Sequence, residues 1–256
     1  MAEQLLFVAL IVTIISGVSS HQCTDNPPTL SATRGAGKVQ ELGGLNCYVS
    51  GSADSNFSVI LISDVYGYEA PHLRMLADKV AAAGFYTVVP DFFRGDPFVN
   101  GNPHKPFHIW FKHHGYDQGF EDAKAIVKAI KRNGISRIGV AGFCWGGKVN
   151  VELTKHAYIE AGVLLHPSNV SIQDIRGVKV PISILGAEID QFSPPKLVRK
   201  FEAVLKKKPE VDSFVKIFPG VQHGWTIRYN DDDKLAVKSA EEAHNAMLHW
   251  FIKHLK

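Results

Sequence analysis

The residue whose surroundings point most directly to chemistry is Cys144. It stands in Gly142-Phe143-Cys144-Trp145-Gly146-Gly147, directly after the apolar run Ile138-Gly139-Val140-Ala141 and before a helical stretch, Lys148 to His156. This is the G-x-C-x-G spacing of a nucleophile carried on a sharp strand-to-helix turn. The turn is strained, so the residues two before and two after the nucleophile must be small. A thiol at that position faces the N–H groups and the positive dipole end of a helix, which favour the thiolate. An isolated cysteine is usually inert packing; here the strand–turn–helix context argues for a nucleophile. Such a thiol needs a base, and the base needs an orienting carboxylate. Both follow later in the chain. Asp190 stands in Gly186-Ala187-Glu188-Ile189-Asp190, after the strand-like run Val180 to Leu185, and His223 stands in Gly220-Val221-Gln222-His223-Gly224-Trp225. Glu188 is the rival acid; Asp190 is preferred because it stands directly before the turn to Pro194-Pro195.

The other histidines have plainer readings. His166 closes the run Leu165-His166-Pro167 and reads as a wall or packing residue, while His104 and His113-His114 read as loop or helix-surface residues. No histidine pair has zinc spacing with a partner carboxylate, so no metal is expected. No glycine-rich loop follows the first strand in phosphate-binding form, so no nucleotide and no other cofactor is expected.

Elements able to hold these residues can be read from the hydrophobic rhythm. Val39 to Val49, broken at Gly43-Gly44, is a hairpin. Short apolar strands are expected at 58–63, 85–89, 138–141, 161–165, 180–185 and 214–218. Amphipathic helices are expected at 70–83, 119–133, 148–156, 195–206 and 232–254. Alternation of this kind indicates an α/β fold with a mostly parallel central sheet and helices on both faces. Ligands of such sheets bind outside the carboxyl ends of the strands, where Cys144, Asp190 and His223 all fall.

Composition bounds the rest. The 256 residues carry a formal net charge of +3, 45% hydrophobic and 21% charged residues, which suits one large ordered domain and excludes a disordered chain. The basic residues are dispersed and imply no nucleic acid. Residues 1–20 read as a signal peptide: an uncharged apolar run, Leu5 to Ile15, precedes small residues and a cleavage position before His21. The run is too short for a stable membrane anchor. A secreted protein follows, with an extended N-terminal arm over 21–37 and the folded domain over 38–256. Asn56 and Asn169 head acceptor sequons for N-glycosylation. Three cysteines leave at least one thiol free; with Cys144 reserved, Cys23 and Cys47 are the remaining possible disulfide pair.

The chain resembles the dienelactone hydrolase family, the carboxymethylenebutenolidases. The resemblance runs from about Gly37 to the C-terminus. It rests on Ser63-Asp64-Val65-Tyr66-Gly67, Pro90-Asp91-Phe92-Phe93, the Cys144 motif, Gly186-Ala187-Glu188-Ile189-Asp190 and His223-Gly224-Trp225. It implies an α/β-hydrolase fold and a catalytic triad of Cys144, His223 and Asp190. It also implies an oxyanion hole from the backbone N–H groups of Trp145 and Val65. Asp64 occupies the place of a first-loop carboxylate, typically Glu in the family, that contacts the resting thiol. Family arginines that hold a substrate carboxylate have a match in Arg228, with Arg94 as a second candidate. The leader and Asn26-Pro27-Pro28-Thr29-Leu30 resemble the secreted plant branch, some chains of which carry the label endo-1,3;1,4-β-D-glucanase.

The expected activity is therefore hydrolysis of small esters or lactones by a cysteine nucleophile, through a thioester acyl-enzyme. Trp145, Phe93, Tyr66 and Trp225 are candidates to line an aromatic pocket. Two alternatives stand beside it. One is hydrolysis of a cell-wall mixed-linkage glucan, which needs two carboxylates across the sugar bond, drawn from Asp64, Glu188 and Asp190. The other is a ligand receptor on a hydrolase fold. The expected partner is the small-molecule substrate, in a monomer or homodimer.

Overall fold

A computed structural model describes residues 24–256. The segment read as a signal peptide and Cys23, with its expected pairing to Cys47, lie outside the described residues. Cys47 itself is buried, and its thiol donates to the carbonyls of Leu42 and Leu45. Burial pushes its pKa up to about 12, which keeps it a neutral packing group.

Eight strands form one sheet. In chain order they are β1 (Lys38–Leu42), β2 (Leu45–Ser50), β3 (Phe57–Ile62), β4 (Tyr86–Pro90), β5 (Arg137–Phe143), β6 (Ala161–Leu165), β7 (Ile182–Ile189) and β8 (Ser213–Gln222). Their order across the sheet is β1-β2-β4-β3-β5-β6-β7-β8. The β1–β2 and β2–β4 pairs are antiparallel and every later pair is parallel. Strands β3 to β6 are buried along nearly their whole length and mostly apolar, as a sheet covered on both faces requires.

The helices are α1 (Pro71–Ala82), α2 (Phe107–His113), α3 (Tyr116–Arg132), α4 (Trp145–Lys155), α5 (Ile172–Gly177), α6 (Pro195–Leu205) and α7 (Lys234–Leu255). One core layer packs α3 and α4 against the sheet through Ile126, Ile130, Val149 and Leu153. The opposite layer packs α1 and α7 through Leu73, Leu76, Met247 and Phe251. The α/β architecture with its mostly parallel sheet is the one the alternation predicts.

Three differences carry physical reasons. Helix α4 begins at Trp145 rather than Lys148, because Gly146-Gly147 is the helix's own first turn and not a linker before it. Helix α2 and the six-residue α5 fall in stretches read as loop or left unassigned. In α2 the apolar residues are aromatic and short-range, Phe107, Trp110 and Phe111, and a helix of about two turns gives too little periodicity to show. The α5 turn is fixed instead by a capping box: the Ser171 hydroxyl accepts from the N–H of Asp174, and the Asp174 carboxylate accepts from the N–H of Ser171.

Candidate active site at the carboxyl edge of the sheet

Parallel pairing of β3 with β5 sets Ile62 opposite Gly142, so the loops leaving both strands emerge side by side. The Gly146 N–H donates to the Ser63 carbonyl at 3.2 Å and ties those loops together. The contact is possible because Gly146 has no side chain: a Cβ there would lie 2.2 Å from the Ile62 carbonyl oxygen. A Cβ on Gly142 would lie 2.2 Å from the Gly146 carbonyl oxygen. These are the small-residue positions the motif requires, and the constraint in both cases is backbone against backbone.

Between them, Cys144 sits at φ 50°, ψ −108°. A non-glycine residue in that region stores about 1–3 kcal/mol of strain and persists only where its surroundings hold it. Here the Cys144 N–H donates to the Leu165 carbonyl at 3.2 Å, and the Cys144 carbonyl accepts from Gly147 and Ser168, each at 3.0 Å. The thiol is fully buried. Trp145 is the first residue of α4, so its N–H is among those with no acceptor inside the helix. Val65 lies in the neighbouring first loop, whose turn is closed by the Gly67 N–H on the Asp64 carbonyl.

Asp190 and His223 arrive from β7 and β8. These strands run in regular register from Ile182 to Ala187 and then shift, so that Ile189 pairs with Gln222. The irregularity takes up Pro219-Gly220 on β8 and re-aims both strand ends. The His223 N–H donates to the Ile189 carbonyl at 3.2 Å, which clamps the two ends together. The imidazole Nδ1 then lies 2.8 Å from Asp190 Oδ2, with both side chains excluded from solvent. The second Asp190 oxygen accepts from the N–H groups of Phe192 at 2.8 Å and Ser193 at 3.0 Å. Glu188, the rival acid, is exposed and accepts from the Gly220 N–H at 2.7 Å. It is Asp190 that meets the imidazole.

His223 is also hydrogen-bonded to Cys144. Burial alone would strip its proton, but the negative charge of a Cys144 thiolate and the bonds to Asp190 and Cys144 outweigh it and raise the pKa to about 9. A thiol, an imidazole and a carboxylate thus stand in sequence, and an arrangement of this kind can carry a thiolate–imidazolium pair at neutral pH.

Asp64 is completely buried in the first loop. Its Oδ2 lies 3.2 Å from Arg228 Nε, and its Oδ1 accepts from the Tyr66 N–H at 3.0 Å. Burial raises its pKa to about 6, opposed by Arg228 and reinforced by the Cys144 charge. Asp64 and Arg228 are therefore neighbours of the thiol, as a pair. Arg94 is placed otherwise: its guanidinium grips Asp122 with two bonds, of 2.8 and 3.0 Å. Phe93 is buried among Trp110, His114 and Trp145, with ring centroids 4.9–5.4 Å apart. The Trp145 indole joins that cluster and donates to the His114 carbonyl. Trp225 is buried against His166 and Phe218. Tyr66 stands under Arg228, 5.6 Å from ring centroid to guanidinium carbon. The sequon residues Asn56 and Asn169 are both exposed.

Two further contributors stand beside the triad, His166, which the sequence reads as a wall or packing residue, and a segment whose place the sequence does not show. His166 is fully buried with its ring centroid 5.1 Å from that of His223, and its Nε2 lies 2.7 Å from Thr226 Oγ1. Burial, and then the charges of His223 and Arg228, hold its pKa well below the usual histidine value, so it stands beside the imidazolium as a neutral ring. The second is the N-terminal arm, whose Thr24 and Asp25 carbonyls reach the site. Only its prolines mark it in the sequence, and they say extended, not where it docks. Among the described residues no group of His, Cys, Asp and Glu is arranged to hold a metal ion, and no helix is long and apolar enough to cross a membrane.

A family model described as "Dienelactone hydrolase family" matches residues 45–255. The chain belongs to the dienelactone hydrolase family. Relatives within it carry different names. An endo-1,3;1,4-beta-D-glucanase of Zea mays is 43% identical over 219 residues, covering 82% of this chain and 71% of that protein. A carboxymethylenebutenolidase homolog of Xenopus tropicalis is 32% identical, covering 86% of this chain and 91% of that protein. Among solved structures, the Pyrococcus furiosus esterase superposes with a TM-score of 0.64 at 17% identity, covering 90% of this chain and 99% of that one. The likeness confirms the α/β-hydrolase fold that the sequence resemblance implies. The dienelactone hydrolase family identity makes this chain a hydrolase.

Proposed function

We propose that this dienelactone hydrolase-family protein is a secreted cysteine-nucleophile hydrolase of small esters or lactones. The observation that carries the reading is the hydrogen-bonded series Cys144–His223–Asp190, with the thiol on a strained turn at the start of α4. His223, oriented through Nδ1 by Asp190, holds the proton that Cys144 gives up. The thiolate attacks the acyl carbon. The N–H groups of Trp145 and Val65 stabilise the oxyanion, each donor worth about 3–4 kcal/mol where such donors have been removed from other enzymes. The imidazolium protonates the departing alkoxide, and the neutral imidazole then takes a proton from the water that cleaves the thioester.

The Zea mays relative's name favours a second reading, cleavage of mixed-linkage glucan. Asp190 is the carboxylate that orients His223, and Asp64 is paired with Arg228, which leaves only exposed Glu188 uncommitted to another side chain of the site. Purified mature protein assayed on 4-nitrophenyl acetate, a dienelactone and mixed-linkage glucan, with and without iodoacetamide, separates the readings. Ester or lactone turnover abolished by iodoacetamide and by Cys144→Ala supports the first. Glucan cleavage indifferent to both supports the second. Specific binding of a ligand without turnover would point to a receptor instead.

A further inference from the structure

Arg228 is the cation nearest the first-loop side of the thiol, and the arm residues 24–34 take part of it. Its Nε faces Asp64, its Nη1 donates to the Asp25 carbonyl, and its planar group lies on the Gly224 backbone, where a Cβ would come within 2.2 Å of it. The arm is held there by side chains of the domain. The Thr24 carbonyl accepts from the Tyr66 hydroxyl at 2.7 Å and from Asn100 at 3.2 Å. Farther on, the Ser31 N–H donates to the Glu69 carbonyl at 3.1 Å, and the Ala32 carbonyl accepts from the buried Arg74 at 2.7 Å. Residues 24–34 therefore form a strap that runs over Tyr66 and covers the guanidinium.

The charge around the thiol follows from this. Asp64, Asp190 and a Cys144 thiolate are the anions, and His223 and Arg228 the cations; both cations are already bonded to them. A cleft of about 360 Å³ beside Tyr66 and Leu30 is further lined by Glu69, Asp91 and Asp96. A substrate carboxylate entering beside Tyr66 would meet Asp64 and the thiolate, while Arg228 is already shared between Asp64 and the Asp25 carbonyl, and like-charge juxtaposition costs several kcal/mol.

We propose that the strap makes the site selective for esters whose acyl group carries no charge, by occupying Arg228, the cation on the first-loop side of the thiol. The proposal rests on the ester-hydrolase reading above and names the substrate class of that site.

The test compares 4-nitrophenyl pentanoate with 4-nitrophenyl hydrogen glutarate, equal in length and differing in one terminal carboxylate. The full mature protein is used, beside the double variant Tyr66→Phe/Asn100→Ala, which removes the Tyr66 and Asn100 donors from the Thr24 carbonyl. The native protein should favour the neutral ester by about 30-fold or more in kcat/KM, the ratio that a like-charge cost of about 2 kcal/mol gives. In the double variant that ratio should fall several-fold through a gain on the anionic ester. Equal or better turnover of the glutarate by the native protein overturns the proposal. So does an unchanged ratio in a double variant that still turns over the pentanoate. Iodoacetamide-sensitive turnover of either ester leaves the ester-hydrolase reading standing in both cases, and its absence removes that reading itself.

Discussion

Asp190 gives one oxygen to His223 and keeps the other for two backbone N–H groups, so its orientation is fixed from both sides. Asp190→Asn would preserve the backbone bonds and turn an amide donor toward Nδ1, imposing the wrong tautomer on the imidazole. We expect kcat to fall about 10³–10⁴-fold with thermal unfolding little changed, the scale seen when a triad aspartate is so replaced. Steady-state kinetics beside a melting curve would check it. The neighbouring charges also set a pH window. His223 has a folded pKa raised from 6.5 to about 9, so the imidazolium and the stability it contributes are complete below pH 6.5 and lost as pH rises through about 9. Asp64 loses its proton near pH 6 and only then forms a charged pair with Arg228. A kcat/KM profile should therefore fall near pH 9; activity undiminished at pH 10 would show that the imidazolium is not required.

The turn between β5 and α4 is where a single methyl group matters most. Gly146→Ala would drive a Cβ against the backbone of β3, which cannot yield without opening the sheet. Overpacking of this kind costs about 1–3 kcal/mol, and here it also separates the two loops that carry Asp64, Val65 and Cys144. Loss of both activity and several degrees of melting temperature is the expected outcome, whereas Gly44→Ala, at a hairpin glycine with open space around it, should leave activity unaltered. This turn is legible in the sequence, apart from the first residue of α4, because glycine spacing and strand–helix order are local signals. So are Asp190 and His223, which follow strand ends in chain order. The turn at Pro194-Pro195 favours Asp190 over Glu188, but the β7–β8 register shift, which aims one residue inward and leaves the other exposed, is a product of pairing between strands. The strap and the contact of His166 with the imidazole are not legible for the same reason: each depends on residues far away in the chain.

At the scale of the whole molecule, the buried histidines tie stability to pH. His244 is buried in α7, its ring Nε2 2.7 Å from the Thr226 carbonyl oxygen, and burial lowers its pKa to about 4. His166, on the other side of Thr226, is held still neutral at low pH. Both have folded values below the unfolded 6.5, so the stability they contribute is complete above pH 6.5 and is lost as pH falls toward 4. Each such group gives a slope of about 1.4 kcal/mol per pH unit. Urea midpoints measured from pH 7 to pH 4.5 should therefore decline, and His244→Gln should flatten the decline; parallel curves for the two proteins would show that His244 accepts its proton as freely folded as unfolded. The same fold that buries these rings buries Cys144 at the carboxyl edge of the sheet, where we propose that its thiol carries the acyl group.

The most direct test of that claim is to look for the covalent intermediate. Mature protein mixed with excess 4-nitrophenyl pentanoate, quenched in acid within the first turnovers and digested, should yield a Cys144 peptide heavier by one pentanoyl group. The adduct should be absent from Cys144→Ala and accompanied by a burst of 4-nitrophenolate equal to the enzyme present. Steady ester turnover with no acyl group on Cys144, persisting in Cys144→Ala, would contradict the account.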